Sequence, residues 1–132
     1  MEISKSIFRE YDIRGIYPEQ INEQVVQKIA KAISVKCLNE GVSDICIARD
    51  GRLSGEKLLS ALANSLSDNG IDVINTGLAT TPLLYFAAKK SASKSGVMIT
   101  GSHNPKSYNR IKLIINDNPV SGNEIYNLLN KI

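Results

Sequence analysis

Apolar positions along the chain recur in two rhythms that alternate. In NEQVVQKIAKAISVKCLNEG (22–41), Val25, Val26, Ile29, Ile33 and Cys37 return every three or four residues, which predicts a helix. Asn22 is its expected N-cap, Glu23 lies in its first turn and Gly41 stops it. DICIA (44–48) is a short, mostly apolar run and predicts a strand. Ser54 is the expected cap of a second helix with Leu58, Leu59, Leu62 and Leu66 on one face, closed by Asn69-Gly70. IDVINTG (71–77) and GVMIT (96–100) read as strands, and Thr81-Pro82 between them opens a third helix, with Thr81 as N-cap and Pro82 at N1. RIKLIIN (110–116) predicts a further strand, NDNPVS a turn, and Ser121 to Glu124 a capping box for a last helix reaching Ile132. At the N-terminus, Ile7, Phe8, Tyr11 and Ile13 suggest a first strand that Arg14-Gly15 turns.

Helices between short apolar strands imply parallel βαβ units. The expected fold is therefore α/β: a three-layer α/β/α sandwich on a mostly parallel, mixed sheet. One domain over 1–132 suits the length. With 42% hydrophobic and 22% charged residues, a sizeable core is available. No apolar run is long enough to span a membrane, and MEISKSIFREYD has no signal-peptide core. Cys37 and Cys46 stand nine positions apart with no His or Cys beside them, which is not zinc spacing; they read as core fillers and suit the cytoplasm. A net charge of +3 is too small for a nucleic-acid footprint. Four of the five arginines, Arg14, Arg49, Arg52 and Arg110, flank Gly, Asp or Asn as loop residues do. Forked recognition of phosphate or carboxylate needs arginines held in that way. Local pairing with carboxylates is the plainer alternative for each of them.

In an open α/β sheet, ligands bind beyond the carboxyl ends of the strands. Three polar stretches are expected there: Arg49-Asp-Gly-Arg52, Thr76-Gly77 and Gly101-Ser-His-Asn-Pro105, with Arg14-Gly15 ending the first strand. Gly101 permits a tight turn, Ser102 offers a hydroxyl, His103 an acid, base or donor, and Asn104 an amide. Lys112 faces away from Ile111 and Leu113. Asp50-Gly51 reads as a turn, and Arg49 and Arg52 as braces for the loops. Ser102 is either a nucleophile for acyl or phosphoryl transfer or part of an anion-binding loop. There is no G-x-S-x-G elbow, Walker A motif or G-x-G-x-x-G.

TGSHNP followed by Asn109-x-x-Lys112 closely resembles the active-site serine loop of the α-D-phosphohexomutases. FREYDIRG (8–15), RDGRLSG (49–55) and TTP (80–82) also match that family in order and spacing. The likeness covers essentially the whole chain, and the bacterial phosphomannomutase/phosphoglucomutase branch is the most similar. It implies that Ser102 carries a phosphoryl group, gives it to a hexose phosphate through a bisphosphate intermediate, and so exchanges 1-phospho and 6-phospho sugars. It further implies Mg²⁺ at the Ser102 phosphate and hexose 1,6-bisphosphate as activator. Ser102, His103, Lys112 and Arg14 would be catalytic, and Tyr11, Asn104 and Arg14 would contact substrate. Phosphoglucosamine mutase, phosphopentomutase and a non-catalytic anion-binding module are the alternatives.

Two departures from the family pattern stand out. The family usually has Gly and then an aromatic or aliphatic residue between the Asn and the Lys, where this chain has Arg110 and Ile111. Family members also have four domains, and this chain resembles only the first. The acidic D-x-D-x-D loop that holds Mg²⁺, the sugar-recognition loop and the distal phosphate-binding loop belong to the other three. Domains 2–4 are thus expected partners, and the isolated chain is expected to be inactive.

Overall fold

A computed structural model describes residues 3–50, 53–101 and 108–131. Its strands are β1 (Ile13–Ile16), β2 (Asp44–Arg49), β3 (Asp72–Leu78), β4 (Gly96–Thr100), β5 (Tyr108–Ile115) and β6 (Asn118–Pro119). Its helices are α1 (Glu23–Asn39), α2 (Leu53–Asp68), α3 (Thr81–Lys90) and α4 (Gly122–Leu129). The sheet order is β1-β5-β4-β2-β3, with β6 on β5. β2 is parallel to both β3 and β4, while β5 is antiparallel to β1, β4 and β6. β5 alone therefore runs against the rest, and the expected mixed, mostly parallel α/β sheet is what forms.

Alternation along the strands divides the core. Ile45 and Ile47, Val97 and Ile99, and Ile111, Leu113 and Ile115 face one side, under α1, α2 and α4. Val25, Val26, Ile29, Ile33 and Cys37 of α1 and Leu58, Leu59, Leu62 and Leu66 of α2 meet them there, all buried. Each such side chain contributes about 1.5–3 kcal/mol of transfer free energy. The other side carries a much smaller cluster of Cys46, Ala48, Met98 and Leu84, beneath α3. Both cysteines are free and buried, as core fillers.

Local chemistry sets the helix ends. The Asn22 side chain accepts from the Val25 N–H at 3.0 Å, and the Ser121 hydroxyl accepts from the Glu124 N–H at 3.1 Å. Four expectations are corrected. Thr80, not Thr81, caps α3, accepting from the Leu83 N–H, because the chain already has helical geometry at Thr81. α2 already includes Leu53, so Ser54 lies inside it and is not its cap. The last helix ends at Leu129 rather than at Ile132. The N-terminal segment is not one strand: a 3-10 turn (Lys5–Ile7) leads to a bridge between Phe8 and Ile13, closed by the Arg9 N–H donating to the Asp12 carbonyl at 2.9 Å. β1 begins only at Ile13 and contains Arg14 and Gly15 instead of ending there.

Gly122 is required by a close approach. A Cβ on it would stand 2.5 Å from the Arg9 backbone nitrogen and 2.7 Å from the carbonyl oxygens of Arg9 and Asp12. Without one, the Gly122 N–H donates to the Arg9 carbonyl at 2.8 Å. The start of α4 thus grips the turn from Arg9 to Asp12, which bears Tyr11.

Candidate active site

The register of the sheet carries one row of residues across four strands. Arg14 of β1 lies opposite Arg110 of β5, and Arg110 lies opposite Thr100, the last residue of β4. Beyond Thr100 stands Asp50, at the end of β2. Thr100 Oγ1 donates to Asp50 Oδ2 at 2.8 Å, and the Gly101 N–H donates to the same oxygen at 2.7 Å. The row marks the carboxyl ends of β2 and β4, where ligand sites form in open α/β sheets. Asp50 fixes the backbone immediately before Ser102. It was read from the sequence as a plain turn residue. The signal that could have found it is its position directly after a buried strand, where a carboxylate meets the backbone of the neighbouring strand end.

Arg14, Arg110 and Lys112 occupy the α3 side of the sheet. Lys112 is paired with Met98, a member of the small cluster on that side. The orientation of Lys112 away from Ile111 and Leu113 is therefore as expected, and its face is that of Arg14. α3 lies over β2 and β4. On the β1 and β5 part of the face the three cations line a cleft of about 330 Å³, together with Arg9, Glu10, Tyr11 and Asp12. Tyr11 is 82% exposed at the tip of the Arg9–Asp12 turn and borders this cleft.

Asp12 is the counter-ion of the cluster. Its carboxylate is only 6% exposed, and Oδ2 lies 3.3 Å from Arg14 Nη2 and 3.1 Å from Arg110 Nε. Arg14 Nε is buried without a hydrogen-bond partner among the described residues. Such a donor gains from an acceptor entering the cleft. Arg14 and Arg110 are strand residues, not the loop residues expected, and a strand holds a guanidinium more firmly than a loop. Arg110 is not among the residues at positive φ, so an arginine at the family's usual glycine position leaves β5 regular and Lys112 in register.

Other candidates separate from this cluster. Asn109 is fully buried and, by strand alternation, points to the face opposite Lys112, which makes it a structural residue. Thr76 and Gly77 do not form a loop after β3 but a bulge within it. Thr76 Oγ1 donates to the Ile47 carbonyl at 2.8 Å, Gly77 has φ +69°, and the β2–β3 register shifts there. Arg49 Nη1 donates to the Asp50 carbonyl at 3.1 Å, a brace as expected. Ser102, His103, Asn104 and Arg52 lie outside the described residues. Among the described residues no group of three or more His, Cys, Asp or Glu side chains comes together.

Known proteins resemble this chain over nearly its whole length. The model of phosphoglucomutase/phosphomannomutase, alpha/beta/alpha domain I, matches residues 5–132. A phosphoglucomutase of Neisseria gonorrhoeae is 44% identical over 96% of this chain, which spans 28% of that protein. A phosphomannomutase/phosphoglucomutase of Pseudomonas putida is 42% identical over 96% of the chain, which spans 27% of it. The crystal structure of a phosphoglucomutase/phosphomannomutase family protein from Burkholderia thailandensis superposes with a TM-score of 0.90 at 36% identity, over 98% of this chain and 30% of that one. Matched by that domain model over residues 5–132 and in fold throughout, this chain belongs to the phosphoglucomutase/phosphomannomutase family, where it corresponds to alpha/beta/alpha domain I.

Proposed function

We propose that residues 1–132 act as the phosphoserine-bearing domain of a phosphohexomutase that interconverts hexose 1-phosphate and hexose 6-phosphate through a bisphosphate. The observation that carries this reading is the row Arg14–Arg110–Thr100, with Asp50 fixing Gly101 one residue before Ser102. Phosphoryl transfer asks a protein chiefly for positioning and for positive charge around the moving group. Arg14 and Lys112 supply that charge from rigid strands. In this reading Ser102 Oγ alternately accepts a phosphoryl group from the bisphosphate and returns one to the sugar. Arg14 holds phosphoryl oxygens, Lys112 or His103 moves the hydroxyl proton, and Tyr11 and Asn104 touch the substrate. Mg²⁺ would supply further charge neutralisation at the phosphate when bound.

The relatives are several times longer than this chain. Sugar selection, the remaining metal ligands and closure of the site from water are accordingly assigned to further domains, and the 132 residues alone are assigned no turnover. A glucose or mannose phosphate is the substrate class, and the cytoplasm, where sugar phosphates are held, is the assigned compartment.

Phosphopeptide mapping of the protein from its source cell tests the reading. Phosphate on Ser102, and loss of mutase turnover when Ser102→Ala is placed in the complete protein, are the expected results. Unmodified Ser102, or turnover that survives the substitution, would refute it.

A further inference from the structure

Asp12 places a buried negative charge at the cleft. Its Oδ2 meets Arg14 Nη2 and Arg110 Nε, and the carboxylate is almost wholly shielded from water. Backbone bonds already hold the turn that bears it. The Arg9 N–H donates to the Asp12 carbonyl, the Gly122 N–H donates to the Arg9 carbonyl, and the β1–β5 ladder begins at the next residue. Burying a charge is costly, and a buried ion pair is by itself weak evidence for stability. The carboxylate therefore calls for a reason other than holding the turn. Arg14 supplies one. Its guanidinium is part-exposed and lines the cleft. Asp12 takes one terminal nitrogen, Nη2, whereas Nε is buried with no hydrogen-bond partner among the described residues. An arginine stem has many rotamers, and a carboxylate contact removes that freedom before any ligand arrives. Donors preset in this way stabilise developing charge without reorganising at the moment of reaction.

We propose that Asp12 is a positioning residue for phosphoryl transfer: its buried carboxylate fixes the Arg14 guanidinium in the cleft, so that the donors it leaves free stand ready for phosphoryl oxygens. This deepens the mutase reading and rests on it for the identity of the ligand as a sugar phosphate. Asp12 itself makes no bond to substrate and moves no proton. A guanidinium set askew matters most while charge shifts between oxygens, so the loss on removing the carboxylate falls on kcat rather than on KM.

The test is a double-mutant cycle in the complete protein, with glucose 1-phosphate as substrate. Asp12→Asn keeps the shape and removes the charge; it is expected to lower kcat about tenfold with KM changed less than about twofold. Arg14→Gln is expected to lower kcat about a hundredfold. The double variant should be no slower than Arg14→Gln alone, because Asp12 acts through Arg14. A merely structural role would lower Tm, leave kcat of the folded protein unchanged and add to the effect of Arg14→Gln; any of the last two results overturns the proposal. Should Asp12→Asn unfold, Asp12→Glu keeps the charge on a longer stem and is expected to lower kcat about threefold, again with nothing added on top of Arg14→Gln. The Nε–H resonance of Arg14 gives a readout that needs no turnover. It is expected to be narrow and slow to exchange in the wild type and averaged with solvent in whichever Asp12 variant folds. A signal already averaged in the wild type overturns the proposal. A complete wild-type protein without turnover refutes the mutase reading instead, and the Arg14 resonance then still decides whether Asp12 fixes the guanidinium.

Discussion

Asp50→Ala tests the link between the sheet and the serine loop. One carboxylate oxygen accepts the Thr100 hydroxyl at 2.8 Å and the Gly101 amide at 2.7 Å. A hydrogen bond to a charged group contributes roughly 1.5–3 kcal/mol, and a buried donor left unsatisfied incurs a desolvation cost of similar size. Asp50 is half-buried while Gly101 is buried, so the lower end of the range applies to each bond. The sum is about 3 kcal/mol. For a chain of this length 1 kcal/mol moves Tm by about 4 °C, which sets the expected fall at about 12 °C in a calorimetric or circular-dichroism melt. Asp50→Asn keeps an acceptor without the charge and should lose about half as much. Thr100→Val removes only the hydroxyl bond and should cost about 1–2 kcal/mol. A fall of less than about 3 °C for Asp50→Ala would refute the view that this carboxylate anchors Thr100 and Gly101 at the end of β4.

Three further outcomes are expected. Gly122→Ala drives a methyl group against the backbone of Arg9 and Asp12, and overpacking of that kind costs about 1–3 kcal/mol; the melt should show the loss, and phosphate titration should show a weaker site because Asp12 moves with the turn. Burial pushes the Cys37 thiol from 9.0 up to about 11, with further contributions from Glu40 and Asp44. Because the folded value is the higher one, this contribution to stability is complete below pH 9 and disappears as pH rises from about 9 to 11. Urea melts across that window should show a declining midpoint, whereas a flat one would contradict a buried thiol; alkylation of Cys37 at pH 8 should track global unfolding. Ser121→Ala removes the cap at the start of α4, is expected to cost about 1 kcal/mol by denaturant melt, and is refuted by an unchanged midpoint.

What could be read from the sequence follows the strength of each periodic signal. α1 and β4 fall within a residue of their expected ends because a full helical stripe and a continuous apolar run each admit one interpretation. The N-terminal segment was misread because Ile7, Phe8, Tyr11 and Ile13 do not alternate strictly. Phe8 and Ile13 are partners across a turn, and Tyr11 sits exposed at its tip. Arg14 and Lys112 were legible as candidates through motif and alternation. Their placement on one face, and the arrival of Arg110 between them, depend on β5 running antiparallel to both neighbours, which no local pattern specifies. Asp50 was hidden for a related reason. Asp before Gly has the composition of a turn, while the groups its carboxylate holds lie fifty positions further on.

The placement of β1 also dictates when the site comes into being. β1 is the first of the described strands, yet its ladder partner among the described residues is β5, with Ile13 set against Ile111. The turn before it is gripped by Gly122. During synthesis, β2, α2, β3, α3 and β4 can pair with immediate neighbours while Arg14 and Asp12 wait for roughly a hundred residues to follow. Such distant pairings close late, since loop entropy must be met before their contacts form. The cationic cleft is accordingly among the last parts of the domain to assemble, and a ribosome stalled before β5 would carry a nearly complete parallel core without that cleft.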